Sequence, residues 1–265
     1  MGSKEIFTYD YLDRLVQSTT TNNDFGYSQN WIYTPAGNIL FNDKFGMDHF
    51  VYSKTKPNAV HKAGQHLYQY DGNGNVIQKD YIHLKWTSFN KVKALTNDDT
   101  KIYYNYAPDR QVFKKKVGTN STRIYIDNGY NLQEFNGKHS ERIFVFSPSG
   151  SLVATLTRDQ TMRKRKEIKV KYYHTDNLGS IDTISDAAGR IVERLSYHAF
   201  GERRDGTWGH HNTPVCLSHK GFTSHEHIDE LGLINMNGRI YDPQIGRFLS
   251  ADPFVQDLRN TQAVN

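Results

Sequence analysis

The sequence predicts an all-β protein, an antiparallel sheet that winds as a spiral of β-hairpins. Three observations predict it. A short motif of an aromatic, a group of turn formers and an aliphatic recurs along the chain. The segments flanking each copy are rich in β-branched and aromatic residues, which favour a pleated, half-buried surface over helix. No apolar stripe of helical period runs longer than a couple of turns.

The copies follow one another in chain order. Tyr9-Asp10-Tyr11-Leu12-Asp13-Arg14-Leu15 comes first, with aspartates that favour a reversal. Tyr33-Thr34-Pro35-Ala36-Gly37-Asn38-Ile39 adds a proline that fixes φ and a glycine that tolerates positive φ. Tyr70-Asp71-Gly72-Asn73-Gly74-Asn75-Val76 is the clearest copy, because Asp-Gly and Asn-Gly are hairpin steps. Degenerate copies run from Trp86 to Val92, Tyr106 to Val112, Ile126 to Leu132 and Phe146 to Leu152. Their anchors at 86, 106, 126 and 146 are spaced by about twenty residues, a repeat period that makes one unit one hairpin. A longer copy, Tyr173 to Ile181, and Tyr197 to Arg203 end the series. Between them, Ile102-Tyr103-Tyr104-Asn105-Tyr106, Arg123-Ile124-Tyr125-Ile126 and Arg142-Ile143-Phe144-Val145-Phe146 read as strands.

Composition adds a constraint on the core. The chain has 265 residues, a mean hydropathy of −0.72 and 17 tyrosines. Disorder would explain the polarity but not the regular placement of so many aromatics. A sheet with wet surfaces explains both: tyrosine rings pair across strands while their hydroxyls stay hydrated. The single cysteine, Cys216, excludes an intrachain disulfide, and despite His210, His211 and His219 nearby it is expected to be inert. No apolar run approaches membrane-spanning length, so no membrane partner is expected. The start lacks a signal-peptide core. The chain is therefore expected to be made in the cytoplasm, and to be secreted only within a larger parent or by a dedicated secretion machine.

The net charge is +5, and two runs concentrate it: Lys114-Lys115-Lys116, and Arg163-Lys164-Arg165-Lys166 with Arg158 close by. Neither is interleaved with aromatics, so nucleic acid is not expected as a partner, and both read as solvated strand edges or hairpin tips. His210-His211 and His225-Glu226-His227, the latter followed by Asp229 and Glu230, lack a zincin helix spacing. On a strand His225 and His227 would face the same way, but a third ligand would have to come from elsewhere. No metal and no cofactor is expected, and these side chains are read as hydrogen-bonding a connecting turn.

The stretch from Gly238 to Pro253, Gly-Arg-Ile-Tyr-Asp-Pro-Gln-Ile-Gly-Arg-Phe-Leu-Ser-Ala-Asp-Pro, joins a strand-like run to two Asp-Pro steps. It resembles the core signature of the Rhs/YD-repeat family, and Gly221 to Arg239 looks like that family's lead-in. The family includes polymorphic toxins, the C component of insecticidal toxin complexes, and teneurins. The resemblance implies that residues 1–205 are YD hairpin repeats forming part of a shell. Residues 206–265 would then be the core signature region, an irregular plug. The implied function is a structural shell segment that encapsulates a C-terminal toxic domain and presents it for delivery. The implied partners are that toxin domain, the remaining shell, and an immunity protein or secretion machinery, with self-association through open sheet edges.

Many relatives of this kind cut their own chain just after the core with a pair of aspartates. Two nearby carboxylates share one proton, so that one activates water while the other protonates the leaving group. Carried over by position, the family's arginine falls on Arg239 and its first catalytic aspartate on Asp252. The second aspartate belongs to a further segment beyond Asn265, and Asp257 is not at the family position. This chain is therefore not expected to act as an enzyme, although its parent would be a single-turnover aspartic peptidase. Without the second acid, Asp242 and Asp252 read as Asp-Pro turn caps that fix the path of the signature strand. A third class, adhesion by glycan binding, would place Trp31 and Trp208 against sugar rings.

Overall fold

The computed structural model describes residues 4–21, 26–45, 50–127, 129–160, 168–204 and 218–252. Among them every regular element longer than a single 3-10 turn is a β-strand. The first sheet holds β1 (Lys4–Tyr9), β2 (Leu15–Thr21), β3 (Gly26–Tyr33) and β4 (Ile39–Asn42). The second begins with β5 (Val51–Tyr52), β6 (Val60–Ala63), β7 (His66–Tyr70), β8 (Val76–Lys79), β9 (Ile82–Trp86), β10 (Val92–Thr96) and β11 (Lys101–Tyr106). It continues through β12 (Val112–Val117), β13 (Ser121–Asp127), β14 (Tyr130–Phe135) and β15 (Lys138–Phe146). It ends with β16 (Leu152–Gln160), β17 (Ile168–Thr175), β18 (Ile181–Asp186) and β19 (Ile191–Arg194). All 15 strands pair with their neighbours in chain order, antiparallel throughout, as a succession of hairpins requires.

The recurring motif makes one turn. The amide of the residue after the anchor bonds the carbonyl four positions on: Asp10 to Arg14 at 2.9 Å, Asp71 to Asn75 at 2.9 Å, Ser147 to Ser151 at 2.8 Å. The third residue after that amide has positive φ, 58° at Asp13, 84° at Gly74 and 85° at Gly150, which explains the turn chemistry of the repeat. Side chains complete it, as where Asp71 Oδ1 accepts the amides of Asn73 and Asn75, both at 2.9 Å.

Four of the anchor aromatics depart from expectation, because their polar atoms are not left to water. Tyr33 Oη donates to the Leu15 carbonyl at 2.7 Å, Tyr70 Oη to Val60 at 3.0 Å, Trp86 Nε1 to Val76 at 2.7 Å, and Tyr106 Oη to Val92 at 2.6 Å. Leu15, Val76 and Val92 are the aliphatic residues of the preceding copies, so Tyr33, Trp86 and Tyr106 each staple their hairpin to the one before. Burial pushes the Tyr33 and Tyr70 hydroxyls up to about 12. The copy at Ile126 lacks this geometry: Ile126 is 59% exposed, and its neighbour Tyr125 turns to the other face.

Two further readings change. Lys114 to Lys116 lie on β12, which pairs with β11 on one side and β13 on the other, so the run is neither an edge nor a tip. Strand alternation buries Lys115 and leaves Lys116 exposed. Trp31 is 2% exposed, which removes it as a sugar-stacking face. The run Arg163 to Lys166, the proposed boundary at Asp205, and Trp208, His210, His211, Cys216 and Asp257 lie outside the described residues.

The expected plug is a small meander of β20 (Glu226–Ile228), β21 (Leu233–Met236), β22 (Arg239–Asp242) and β23 (Arg247–Phe248). Its Ile228, Leu233, Ile240, Ile245 and Leu249 join one core with Trp31 and Ile39 of the first sheet and Val60, Tyr68, Leu84, Leu95 and Tyr104 of the second. A smaller cluster of Leu152, Ile181 and Ile184 lies apart from it.

These contacts require a curved wall. Thirteen steps at about 4.8 Å would put β5 and β18 about 60 Å apart in a flat sheet, whereas the plug is only about 15 to 20 Å across. Yet the plug segment reaches both ends. Arg247 donates to Asn38 Oδ1 at 2.6 Å and to the Asn58 carbonyl at 3.2 Å, and Ser224 Oγ to the Gly179 carbonyl at 2.8 Å. The chain after β19 then returns to the first sheet, where Phe200 meets Trp31 edge-on at 5.3 Å and Glu202 pairs with Lys44.

Candidate functional site

The polar groups that a reading for chemistry would single out gather on the seam between plug and wall. Asp242, with no exposed surface, ends β22. Its Oδ2 pairs with Lys79 Nζ of β8 at 2.7 Å and accepts Tyr68 Oη of β7 at 2.9 Å. Its Oδ1 accepts the Gln244 amide at 3.0 Å, the turn cap expected of an Asp-Pro step. Lys79 also donates to Gln244 Oε1 at 2.9 Å. Both members of this pair are therefore hydrogen-bonded on several sides, as a buried ion pair must be if it is not to cost stability.

A second, half-buried carboxylate, Glu226, pairs with Lys115 and Arg123, each at 2.8 Å, and accepts from Tyr125 Oη at 3.4 Å. Burial alone would raise its pKa, but Lys115 and Arg123 outweigh that and hold the carboxyl well below the usual range. His227 Nε2 accepts the Phe222 amide at 3.0 Å, which fixes the hydrogen on Nδ1. Burial, with the charge of Arg203, pushes this imidazole down to about 3. His225 Nδ1 lies 2.8 Å from Thr223 Oγ1. His225 and His227 thus hold the connecting turn. Among the described residues no three His, Cys, Asp or Glu side chains converge as metal ligands.

Arg239 and Asp252 are brought together. Their ion pair spans 2.9 Å, and the Arg239 guanidinium lies 3.5 Å from the centroid of the Phe248 ring. Arg239 also lines a cleft of about 420 Å³ with Arg14, Tyr33, Phe200, Arg247 and Phe248. Asp242 cannot serve as the second acid, being held by Lys79 and Tyr68 inside the core. Lys79 and Tyr68 are seam residues that sequence reasoning missed, and Glu226, read as bonding a connecting turn, is tied to Lys115 and Arg123 of the wall instead. Period-two alternation was the available signal for Lys115, which shares a strand face with Val117. Nothing local marks Lys79 as the partner of a residue 163 positions later.

The chain matches the family model described as Teneurin YD-shell over residues 2–265. It is 25% identical over 202 residues to the tRNA nuclease WapA of Bacillus subtilis (strain 168), covering 74% of this chain and 8% of that protein. It is 23% identical over 146 residues to the double-stranded DNA deaminase toxin A of Burkholderia cenocepacia (strain H111), covering 50% of this chain and 10% of that one. The fold is similar to a solved TcdB2-TccC3-Cdc42 structure, with a TM-score of 0.59 and 17% identity over 99% of this chain and 13% of that one. The chain thus spans about a tenth of the length of these relatives.

Proposed function

The chain belongs to the teneurin YD-shell family, and from that premise we propose that it forms a wall-and-plug segment of a container that holds a C-terminal toxic polypeptide until delivery. The observation that carries this reading is the seating of β20 to β23 on one face of the strand wall, within a core shared with both hairpin sheets. The last described residue, Asp252, is still tied to the plug through Arg239, so a polypeptide continuing from it starts from the seam. The names of two relatives, a tRNA nuclease and a double-stranded DNA deaminase toxin, support the choice of cargo. A closed sheet suits the task because it leaves few strand edges on which a held chain could pair.

Limited proteolysis of the natural full-length protein tests this. The polypeptide after the plug should resist protease in the intact protein and become cleavable when Asp242→Ala loosens the seam. Equal cleavage in both would refute containment. A second reading draws support from the Arg239–Asp252 pair: these residues would be half of a self-cleaving acid site completed by another aspartate. In the natural protein, Asp252→Asn should then abolish the cut while leaving the melting temperature within a few degrees, and a cut that persists would remove this reading.

A further inference from the structure

The inner face of the wall, the face against which the plug packs, carries a ladder of cations beyond the plug. Strand register places them together. Lys115 on β12 stands opposite Arg123 on β13, and two residues along the same face Tyr125 stands opposite Asn131 on β14. Asn131 in turn faces Arg142 on β15, Arg142 faces Thr157 on β16, and Thr157 faces Lys169 on β17. Lys171 lies on the same face as Lys169, two positions on, since alternate residues of a strand share a side.

The cations of this ladder differ in how they are satisfied. Lys115 and Arg123 share Glu226, and Lys169 pairs with Asp159 at 3.0 Å. Arg142 and Lys171 have no carboxylate at ion-pair distance among the described residues. Two carboxylates near Lys171 also hold other groups: Asp186, opposite it in register, binds Arg190 at 2.7 Å, and Glu193, whose charge acts on Lys171, accepts the Ser218 amide at 3.1 Å. Lys220, from the segment leading into the plug, donates to the Ser224 carbonyl at 3.2 Å and lies 5.8 Å from the Phe144 ring centroid on this same face. Burial lowers the proton affinity of Arg142, Lys171 and Lys220; the charge of Arg123 lowers it further at Arg142, while Glu193 at Lys171 and Glu226 at Lys220 offset it only in part. An incoming anion would relieve that strain.

We propose that the inner face from β13 to β17, centred on Arg142, Lys171 and Lys220, receives the side-chain carboxylates of an acidic stretch of the enclosed polypeptide. Charge complementarity chooses the occupant: half-buried cations beside Tyr125, Tyr173 and Phe144 suit an extended chain carrying Asp or Glu at intervals, bound without folding. The proposal rests on the container reading and gives it a chemistry of retention. Arginine supplies a planar donor fork for a carboxylate, and the lysines supply point charges.

The unmodified chain can be tested with a fluorescein-labelled decaglutamate peptide, a decaglutamine control and a ten-base oligothymidine. Decaglutamate should bind more tightly than either control. Carbodiimide coupling followed by peptide mapping should place its adducts on Lys171 and Lys220. Replacing both Arg142 and Lys171 by Gln should weaken decaglutamate binding at least about tenfold, the effect of losing one charge-assisted contact or more. The matched loss of charge on the opposite face, Lys114→Gln with Lys116→Gln, should change it less than about twofold. Adducts confined to outward lysines, equal losses in the two variants, or tighter binding of the oligothymidine would each overturn the proposal. The coupling map needs no variant, so it decides even if the glutamine pair fails to fold. Protease protection of the natural C-terminal polypeptide without decaglutamate binding would sink this inference and leave the container reading standing.

Discussion

Asp242 shows how much depends on single side chains when the core is thin. Both its oxygens are satisfied inside the protein, by Lys79 and Tyr68 on one side and the Gln244 amide on the other. Replacing Asp242 by Ala leaves the Lys79 ammonium buried without its counter-charge, which should cost about 3 to 5 kcal/mol in urea unfolding. Pairing Lys79→Met with Asp242→Leu should restore most of that, because an apolar pair removes both buried charges. His227 predicts a pH dependence. Its folded pKa is depressed to about 3 from an ordinary value of 6.5, so the unfolded chain binds the extra proton first. The stability tied to His227 is therefore fully present above about pH 6.5 and is lost as pH falls, by at most about 1.4 kcal/mol per unit. Urea midpoints between pH 6.5 and 5, above the carboxylate range, should show this slope, and His227→Gln should reduce it, with His219 and His225, whose pKa values burial also lowers, supplying the remainder. The sequence announced Asp242 as a turn cap, but not its ion pair, because Lys79 and Tyr68 are distant in the chain and meet it only through tertiary packing.

The hairpins were the most legible elements, since turn chemistry is local. An aromatic, five intervening turn residues and an aliphatic state where a strand ends, which residue takes positive φ and where the next strand begins. What the repeat did not state is why the anchor is so often tyrosine. The hydroxyl donates to the backbone of the preceding copy, a contact between repeats that no single copy reveals. Tyr106→Phe should leave the Val92 carbonyl without that donor and cost about 1 kcal/mol, while Tyr81→Phe, at a residue 78% exposed, should cost nothing measurable. Thermal or urea unfolding of the two variants checks the contrast. The spacing of twenty misled at Ile126 for a related reason: spacing alone cannot distinguish an anchor with a polar tip from an aliphatic that merely falls in step. At Lys115 the charge run concealed a period-two pattern in which the middle residue points inward.

On the scale of the molecule, fold class and strand order follow from the repeats, whereas curvature follows from the plug. A sheet this long with so few aliphatic residues gains little from any one face, and the plug supplies what the wall lacks: aliphatics from Ile228 to Leu249 that fill one core against strands of both hairpin sheets. The ion pairs of Asp242 and Glu226, with the hydrogen bonds of Arg247, fix its position on the wall. The central claim is that this C-terminal sheet is an integral inner layer, not a tail resting on the outside. Hydrogen–deuterium exchange of the chain, read peptide by peptide, tests it most directly. Residues 233–249 should exchange as slowly as β7 to β11, far more slowly than the fully exposed strand β1, and Asp242→Ala should release both together. Exchange of residues 233–249 at the rate of β1, with β7 to β11 still protected, would contradict the account.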